Sequence, residues 1–278
     1  MRDMAQTNWK TEFARRWVTQ WTAPARPTPG SVAFIERNIT SFPKSDPSVL
    51  ILGSTSEFRD LCFDLKIHPT IVDFSRENYH ILSGAMKHKD VYEQNETFVE
   101  ADWRDMNFAE QFDIILGDAV WNIVPVDSNE QLLHNIRRHL DSHGIYIERI
   151  HQVPPEYESM DMVAEVEKRR KDIEQHSLYY VFGTPGYLAV QEYSNESIPL
   201  KRVSAWADTL LERGLITQKE WDDFRSLGKH KTDFVFFLPS KQWVDDRASE
   251  YFSVKDIFID YAFPFYPEFY PNYVMAVR

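Results

Sequence analysis

Between residues 45 and 150, short unbroken apolar runs alternate with segments in which apolar residues recur at helical spacing. Strands whose two faces are both apolar are typical of a parallel sheet that helices cover on each side. The repeated strand–helix pattern therefore predicts an α/β fold with a doubly wound sheet and right-handed connections. The five predicted strands lie at 49–52, 70–73, 97–99, 112–117 and 144–147.

Polar residues at the starts of the helical segments support these boundaries. Ser56 and Ser75 are predicted N-caps of the helices that follow the first and second strands, because a serine hydroxyl accepts a hydrogen bond from a free backbone N–H. Ser128 and Gln131 have the spacing of a capping box ahead of the helix before the fifth strand.

The segments on either side of this core have other patterns. Residues 1–44 predict an aromatic-rich helical cap, and residues 151–232 predict a charged helical insert between strands five and six. Residues 233–278 are expected to supply the C-terminal strands that complete the sheet of the 45–150 core, with an antiparallel hairpin at the end. Strand-like patterns in this last segment lie at 234–237, 256–261 and 273–277.

Composition and charge narrow the range of partners. Apolar residues make up 43% of the 278-residue chain, and the formal net charge is −12. A chain this acidic lacks the basic surface that nucleic acid or an anionic membrane requires, so we expect neither partner. The single cysteine, Cys62, excludes an internal disulfide and a cysteine-based zinc site, and no metal site is predicted. No signal-like segment or membrane-length apolar run is seen, and we expect a cytoplasmic protein.

The residues directly after the predicted strands carry the candidate chemistry, because ligands of open α/β sheets bind at the carboxyl ends of the strands. Gly53 follows the first strand and permits a tight turn with close backbone approach, and Ser54, Thr55 and Glu57 lead into a helix N-terminus suited to anionic groups. Asp73 follows the second strand, where a carboxylate can accept hydrogen bonds from ribose hydroxyls.

Two further strands end in the same way. Asp102 and Trp103 follow the third strand and combine an acceptor with a flat apolar ring, and Asp118 follows Gly117 at the end of the fourth. Each feature alone is common in α/β proteins. The prediction of one shared ligand site rests on their occurrence after four successive strands.

This series resembles the class I S-adenosylmethionine-dependent methyltransferase family. The resemblance covers roughly residues 45–150 and 233–278, and it implies a Rossmann-like, mostly parallel seven-stranded sheet with a C-terminal antiparallel hairpin, and S-adenosyl-L-methionine as cofactor. It leaves out the cap and the insert. The matching segments are VLILGSTSE at 49–57, IVDFS at 71–75, EADWRDM at 100–106 and FDIILGD at 112–118.

The resemblance also implies individual roles. The turn from Gly53 to Glu57, which includes Ser54 and Thr55, would pass close to the methionine part of the cofactor, with Asp118 near the methionine moiety and the transferred methyl. Asp73 would bind the ribose hydroxyls. The adenine would lie against Phe74 and Trp103, with Asp102 accepting from its amino group.

The chain departs from the family in the first motif. Ile51 replaces the usual acidic residue, and Thr55 and Glu57 replace later glycines. This departure keeps open a non-catalytic, cofactor-binding or scaffolding subunit. A second alternative is an NAD-dependent oxidoreductase, since Gly53 followed by Asp73 also suits NAD, although the chain has no G-x-G-x-x-G here.

The acceptor is expected to be a small molecule that receives the methyl group on oxygen or nitrogen. His151, directly after the fifth strand, and His134 are the candidate general bases for a hydroxyl acceptor. The insert 151–232 is expected to cover the acceptor, and its aromatic residues Tyr179, Tyr180, Phe182 and Tyr187 are expected mostly to pack its own core, with lining of the site as the alternative. The cap is expected to pack on the core, and the alternative is that Trp17, Trp21 or Arg26 also closes over a ligand. The sequence leaves the oligomeric state open.

Overall fold

The structure of the protein is a computed structural model, and it describes residues 11–172, 182–190, 197–226, 235–263 and 265–278. The predicted strand at 234–237 begins one residue before a described segment. The nine strands are β1 (Val49–Leu52), β2 (Thr70–Asp73), β3 (Thr97–Glu100), β4 (Phe112–Asp118), β5 (Leu140–Arg149), β6 (Ser197–Pro199), β7 (Val235–Phe237), β8 (Phe252–Phe258) and β9 (Asn272–Val277) within these residues.

Seven of the strands form one sheet in the order β3-β2-β1-β4-β5-β9-β8. The first five are parallel, whereas β9 pairs antiparallel with both β5 and β8. The predicted seven-stranded, mostly parallel sheet with a C-terminal antiparallel hairpin is thus confirmed. The strand order reverses between β1 and β4, and an open α/β sheet has its crevice at such a reversal.

Helices cover both faces of the sheet. The inner strands are therefore buried on both sides, which accounts for the unbroken apolar runs in the sequence. The bounds of the helices are α1 (Thr11–Gln20), α2 (Pro29–Thr40), α3 (Ser56–Asp64), α4 (Arg76–Ser83), α5 (Tyr92–Asn95), α6 (Val120–Ile123), α7 (Asn129–His139), α8 (Pro155–Glu158), α9 (Met162–Arg169), α10 (Thr184–Val190), α11 (Leu200–Glu212), α12 (Gln218–Ser226) and α13 (Lys241–Tyr251). None of these described helices is long and apolar enough to cross a membrane.

The central strand β1 shows how the two faces are filled. Leu50 and Leu52 pack into one apolar cluster, and Val49 and Ile51 pack into another on the opposite face. Side chains alternate between the faces of a strand, so a strand buried on both sides must be apolar at every position. Ile51 is therefore a core residue of the sheet.

A third apolar cluster joins the insert to the cap. It includes Trp21 of the cap, Tyr187 of α10, Leu200 of α11 and Phe236 of β7, all buried. The described part of the insert is largely helical, as expected, but it also contributes β6, which pairs with β7 in a separate two-stranded sheet. Tyr179 and Tyr180 of the insert lie outside the described residues.

The prediction that the strands of residues 233–278 all complete the core sheet is wrong for β7. Val235–Phe237 pairs with the insert strand Ser197–Pro199, and only β8 and β9 join the sheet. The predicted strand at 256–261 is also displaced, because β8 spans Phe252–Phe258 after the unpredicted helix α13. Strand β8 lies at the edge of the sheet with exposed residues at its centre, so no apolar run marks it.

The predictions of helix N-cap residues were confirmed only in part. Ser75 caps α4 as expected, since its hydroxyl accepts from the Asn78 N–H at 3.2 Å. Thr55, and not Ser56, is the N-cap of α3, and the Ser56 hydroxyl instead accepts a hydrogen bond from Arg26. The predicted capping box is wrong: the Ser128 side chain makes no cap hydrogen bond, and Gln131 does not reach back to it.

The Gln131 side chain is used elsewhere. Its amide donates to the Asp105 carboxylate at 2.7 Å, which draws the side chain away from the start of α7. The capping-box spacing was therefore present without the contact it usually indicates.

Candidate functional site

A cleft opens at the carboxyl ends of the central strands. Its empty volume, including the open space at the mouth, is about 970 Å³. Every predicted cofactor residue except Asp102 lines it, as does His151. The predicted residues among its lining are Gly53, Ser54, Thr55, Glu57, Asp73, Phe74, Trp103, Asp118 and His151.

Gly53 forms the turn between β1 and α3 with a left-handed backbone, at φ +88°. A Cβ on this residue would lie 3.3 Å from a ring carbon of Trp103, so both the conformation and the space favour glycine. The Gly53 N–H and the Trp103 indole N–H both donate to the Val72 carbonyl at 2.8 Å. One carbonyl of β2 therefore fixes the turn and the ring together.

Asp73 is the acid at the end of β2, and it is buried in the wall of the cleft. Its Oδ2 accepts from the Ser54 hydroxyl at 2.6 Å, whereas Oδ1 accepts no well-formed hydrogen bond from the described residues. Burial raises the pKa of Asp73 to about 6, and the Ser54 hydroxyl and the N–H groups of Ser75 and Phe74 partly offset this effect. The carboxylate is thus ionised at neutral pH, and its buried Oδ1 has no well-formed hydrogen bond from the described residues.

Asp102 lies beside the main cleft and not in it. Together with Phe74 and Trp103 it lines a smaller adjoining cavity, which shares both aromatic residues with the cleft. Arg104 binds both oxygens of the carboxylate, with Nε 2.9 Å from Oδ1. Burial alone would raise the pKa of Asp102, but the hydrogen bonds from Arg104 hold it below the usual value. Both carboxylate oxygens already have a partner, in contrast to Asp73.

Asp118 at the end of β4 forms a buried ion pair with Arg149 at the end of β5. The two groups lie 2.6 Å apart, and both side chains are almost wholly buried. Burial raises the pKa of Asp118, although the positive charge of Arg149 counteracts it. Arg149 was not predicted as a site residue. Its charge could have identified it, because an arginine in a buried strand requires an anionic partner nearby.

A second ion pair joins the cap to α3. Arg26 of the cap binds Glu57 of α3 through Nε at 2.7 Å, and its Nη2 donates to Ser56 at 2.7 Å. Both charged residues line the cleft. The suggestion that Arg26 closes over the site agrees with this placement.

His151 lies two residues beyond β5 and is buried in the cleft wall. Neither ring nitrogen has a hydrogen-bond partner among the described residues. The backbone is held rigidly: the His151 N–H donates to the Asn122 side chain at 2.9 Å, and the Asn122 amide donates to the His151 carbonyl at 2.7 Å. Burial, aided by the charge of Arg149, lowers the pKa of His151 well below its usual value, so the ring is neutral.

His134 is not part of the site. It lies on the outer face of α7, with its side chain 64% exposed, and it contacts Glu130 and Tyr251. It does not line the cleft. The expectation that it lies near an acceptor is wrong, because α7 turns Leu133 and Ile136 towards the sheet and leaves His134 facing solvent.

The cap and the insert supply the rest of the lining. Trp17 and Trp21 stack with ring centroids 4.9 Å apart, and Tyr187 stacks on Phe236 at 5.8 Å. The two tryptophans and Tyr187 had been considered as ligand contacts from the sequence. Several lining residues were not predicted, because only tertiary packing brings them to the strand ends; they include Asn78, Leu82, Ile123, Leu200 and Phe236.

The described residues contain no group of three histidine, cysteine or acidic side chains arranged to hold a metal ion. Cys62, the sole cysteine of the chain, is a buried residue of α3, and burial raises the pKa of its thiol to about 12.

No family model matches the sequence, and no curated protein matches it. Solved structures do match over nearly the whole chain. A protein from Rhodobacter sphaeroides, provisionally named a Zn-dependent alcohol dehydrogenase, aligns over 100% of both chains with 15% identity and a TM-score of 0.61. The PH0226 protein from Pyrococcus horikoshii OT3 aligns over 90% of both chains with 15% identity and a TM-score of 0.54.

The CcbJ methyltransferase from Streptomyces caelestis is also similar. It aligns over 94% of both chains with 10% identity and a TM-score of 0.56. The fold of the chain is that of the class I S-adenosylmethionine-dependent methyltransferases. At these identities the likeness concerns the fold, and the reaction has to be argued from the site.

Proposed function

We propose that the protein binds S-adenosylmethionine and transfers its methyl group to a small-molecule acceptor. The observation that carries this proposal is Asp73, a buried carboxylate with one open oxygen, in the same cleft as the left-handed turn at Gly53. A pair of ribose hydroxyls supplies the donors that this acid lacks.

The other residues fit the remaining parts of the cofactor. Phe74 and Trp103 line both the cleft and the adjoining cavity, which gives a flat base an apolar slot between them. The turn at Gly53 lets the backbone approach closely, and Ser54, Thr55 and Asp118 line the cleft beside it, where the methionine part of the cofactor would lie. When bound, S-adenosylmethionine would supply an electrophilic methyl group.

The chain itself would then orient the acceptor, exclude water and remove a proton where the acceptor carries one. The cap and the insert bring apolar side chains over the strand ends, which excludes water. His151 is the described lining residue with a neutral, proton-accepting nitrogen and no competing partner. We assign it the role of general base for a protonated acceptor.

The two alternatives are less well supported. A single glycine in the first turn replaces the three that usually bring a helix against the pyrophosphate of NAD. A scaffolding subunit has no need for an open carboxylate oxygen and an unpaired imidazole in one cleft, since both cost stability. These groups are costly unless a ligand uses them.

Titration calorimetry with S-adenosylmethionine, S-adenosylhomocysteine and NAD tests the proposal. We expect both sulfur ligands to bind with one-to-one stoichiometry and NAD to give no heat above dilution. Binding of NAD with no binding of either sulfur ligand would overturn it. Binding of the sulfur ligands without turnover on any acceptor would favour the scaffolding alternative.

A further inference from the structure

The lining of the cleft divides by its origin in the chain. One part comes from the strand ends and the turns that follow them, and includes Gly53, Asp73 and Trp103. The other part comes from the cap, the insert, β7 and the segment after β5, and apart from Arg26, which pairs with Glu57 beside the turn, its side chains carry no formal charge. We name it the aromatic end and define it by Trp17, Trp21, His151, Tyr187, Leu200 and Phe236.

The aromatic end is continuous with the core of the insert. Trp21, Tyr187, Leu200 and Phe236 belong to one apolar cluster, against which Trp17 packs. The ring of His151 contacts this cluster, with its centroid 5.4 Å from that of Phe236. A ligand that reaches His151 is therefore surrounded by flat apolar surfaces.

The charges of the described lining lie elsewhere. Arg26 and Glu57 neutralise each other beside the turn, and Asp118 is neutralised by Arg149. Asp73 belongs to the proposed ribose site. The aromatic end, as far as the structure describes it, thus offers no charged side chain to pair with an ionic acceptor, and transfer of an unpaired charge into such surroundings is costly.

The imidazole of His151 is a polar group of this end that lacks a described hydrogen-bond partner. Both of its nitrogens are buried without a hydrogen bond from the described residues. A buried polar group without a partner is costly, so a ligand that donates to the ring gains affinity by satisfying it. The hydrogen bonds with Asn122 hold the His151 backbone in place, and the ring packs against Phe236, Phe269 and Tyr270.

We propose that the acceptor is a flat, uncharged aromatic molecule that carries a hydroxyl group, and that this hydroxyl donates to His151. The inference rests on the proposed function. The acceptor stacks among the rings of the aromatic end, and its hydroxyl oxygen forms the new bond to the methyl carbon. The hydroxyl proton passes to the free ring nitrogen, and the electron pair of the broken carbon–sulfur bond stays on sulfur.

Binding to the protein saturated with S-adenosylhomocysteine tests this proposal without turnover. The probes are 2-naphthol, its charged analogue 2-naphthoate, and glucose as an uncharged polyol, followed by calorimetry and by quenching of tryptophan fluorescence. We expect 2-naphthol to bind at least about tenfold more tightly than 2-naphthoate, because the carboxylate has no partner there. Glucose should not bind.

Three results would overturn the proposal: tighter binding of 2-naphthoate or glucose, equal binding of the two naphthalenes, or no binding of any probe. Absence of binding by S-adenosylhomocysteine itself is a separate result, and it would instead contradict the proposed function. The saturation step therefore distinguishes the two failures.

The role of His151 is tested by His151→Gln, with His134→Gln as the matched control on an exposed surface. Glutamine keeps a hydrogen-bonding group but does not take a proton at neutral pH. We expect unchanged affinity for S-adenosylhomocysteine, 2-naphthol affinity within about threefold, and a roughly hundredfold lower kcat for its methylation. Unaltered kcat in His151→Gln, with 2-naphthol still methylated, would contradict the assignment.

Discussion

Arg149 and Asp118 tie the cap of the protein to its sheet. The Nε–H of Arg149 donates to the Asp118 carboxylate at 2.6 Å, and the remaining guanidinium N–H groups donate to the carbonyls of Pro24 and Ala25. A single buried side chain thus joins the ends of β4 and β5 to the segment that leads from α1 into α2. Arg149 therefore connects the strand ends in the cleft wall to the cap that lies over them.

Replacement of this arginine should destabilise the whole protein. In Arg149→Met, Asp118 remains buried without its partner and two backbone carbonyls of the cap lose their donors. We expect the free energy of unfolding to fall by about 3–5 kcal/mol, measured by urea denaturation at pH 7.

The matched control is Lys219→Met, which removes an exposed ion pair with Asp223. Such a pair contributes roughly 0–1 kcal/mol. Equal losses in the two variants would show that the Arg149 pair is not buried as described.

The turn at Gly53 gives a second prediction. An alanine there must adopt φ +88° and bring its Cβ within 3.3 Å of Trp103. We expect Gly53→Ala to lose about 1–2 kcal/mol of stability from backbone strain and to weaken binding of S-adenosylhomocysteine as the turn and the Trp103 ring separate.

The variant Gly214→Ala is a control that separates the effect of backbone strain from the effect of the contact with Trp103. Gly214 also has a positive φ, +68°, but a Cβ there would meet no atom within 4 Å. Gly214→Ala should therefore cost comparable stability and leave ligand affinity unchanged. If Gly214→Ala weakened ligand binding as much as Gly53→Ala, the binding defect would be a general effect of instability.

The parts of the site that follow strands directly were predictable from the sequence. Buried parallel strands produce unbroken apolar runs, so their ends are visible, and the acids at 73 and 118 lie at those ends. Their spatial convergence follows from the parallel arrangement alone, since all carboxyl ends then lie on one edge of the sheet.

Features set by packing between distant segments were not predictable in this way. Phe236 appeared to belong to a strand of the main sheet, and its pairing with the insert strand β6 brings it to His151 instead. His134 had the right residue type, but the direction of its side chain depends on which face of α7 packs on the sheet. Arg149 follows the predicted fifth strand, yet its partners come from two distant segments, the end of β4 and the cap.

Asp73 carries a third prediction. Asp73→Ala removes the open acceptor oxygen of the proposed ribose site and leaves the Ser54 hydroxyl without its partner. We expect the dissociation constant for S-adenosylhomocysteine to rise at least about tenfold, which corresponds to one charge-assisted hydrogen bond. Glu110→Ala, an exposed acid away from the cleft, is the control. An unchanged dissociation constant in Asp73→Ala would refute the assigned role.

The pH dependence of binding gives the last prediction. Burial raises the pKa of Asp73 from 3.8 to about 6, with Ser54 and the positive charge of Arg59 opposing the rise. Ribose hydroxyls donate to the ionised form, so affinity for S-adenosylhomocysteine should be complete above about pH 7 and fall as the pH drops through 6, by up to about tenfold per unit.

Asp73→Asn, which cannot titrate, should lose this inflection. Asp118 lines the same cleft and also has a raised pKa, so a slope that persists in Asp73→Asn would belong to that residue. Wild type and Asp73→Asn are compared by calorimetry between pH 5 and 8. The ligand titrates identically in both experiments, so its own titration cancels in the difference. Affinity in the wild type that is constant, or that increases towards pH 5, would show that the ionised carboxylate of Asp73 does not hold the ligand.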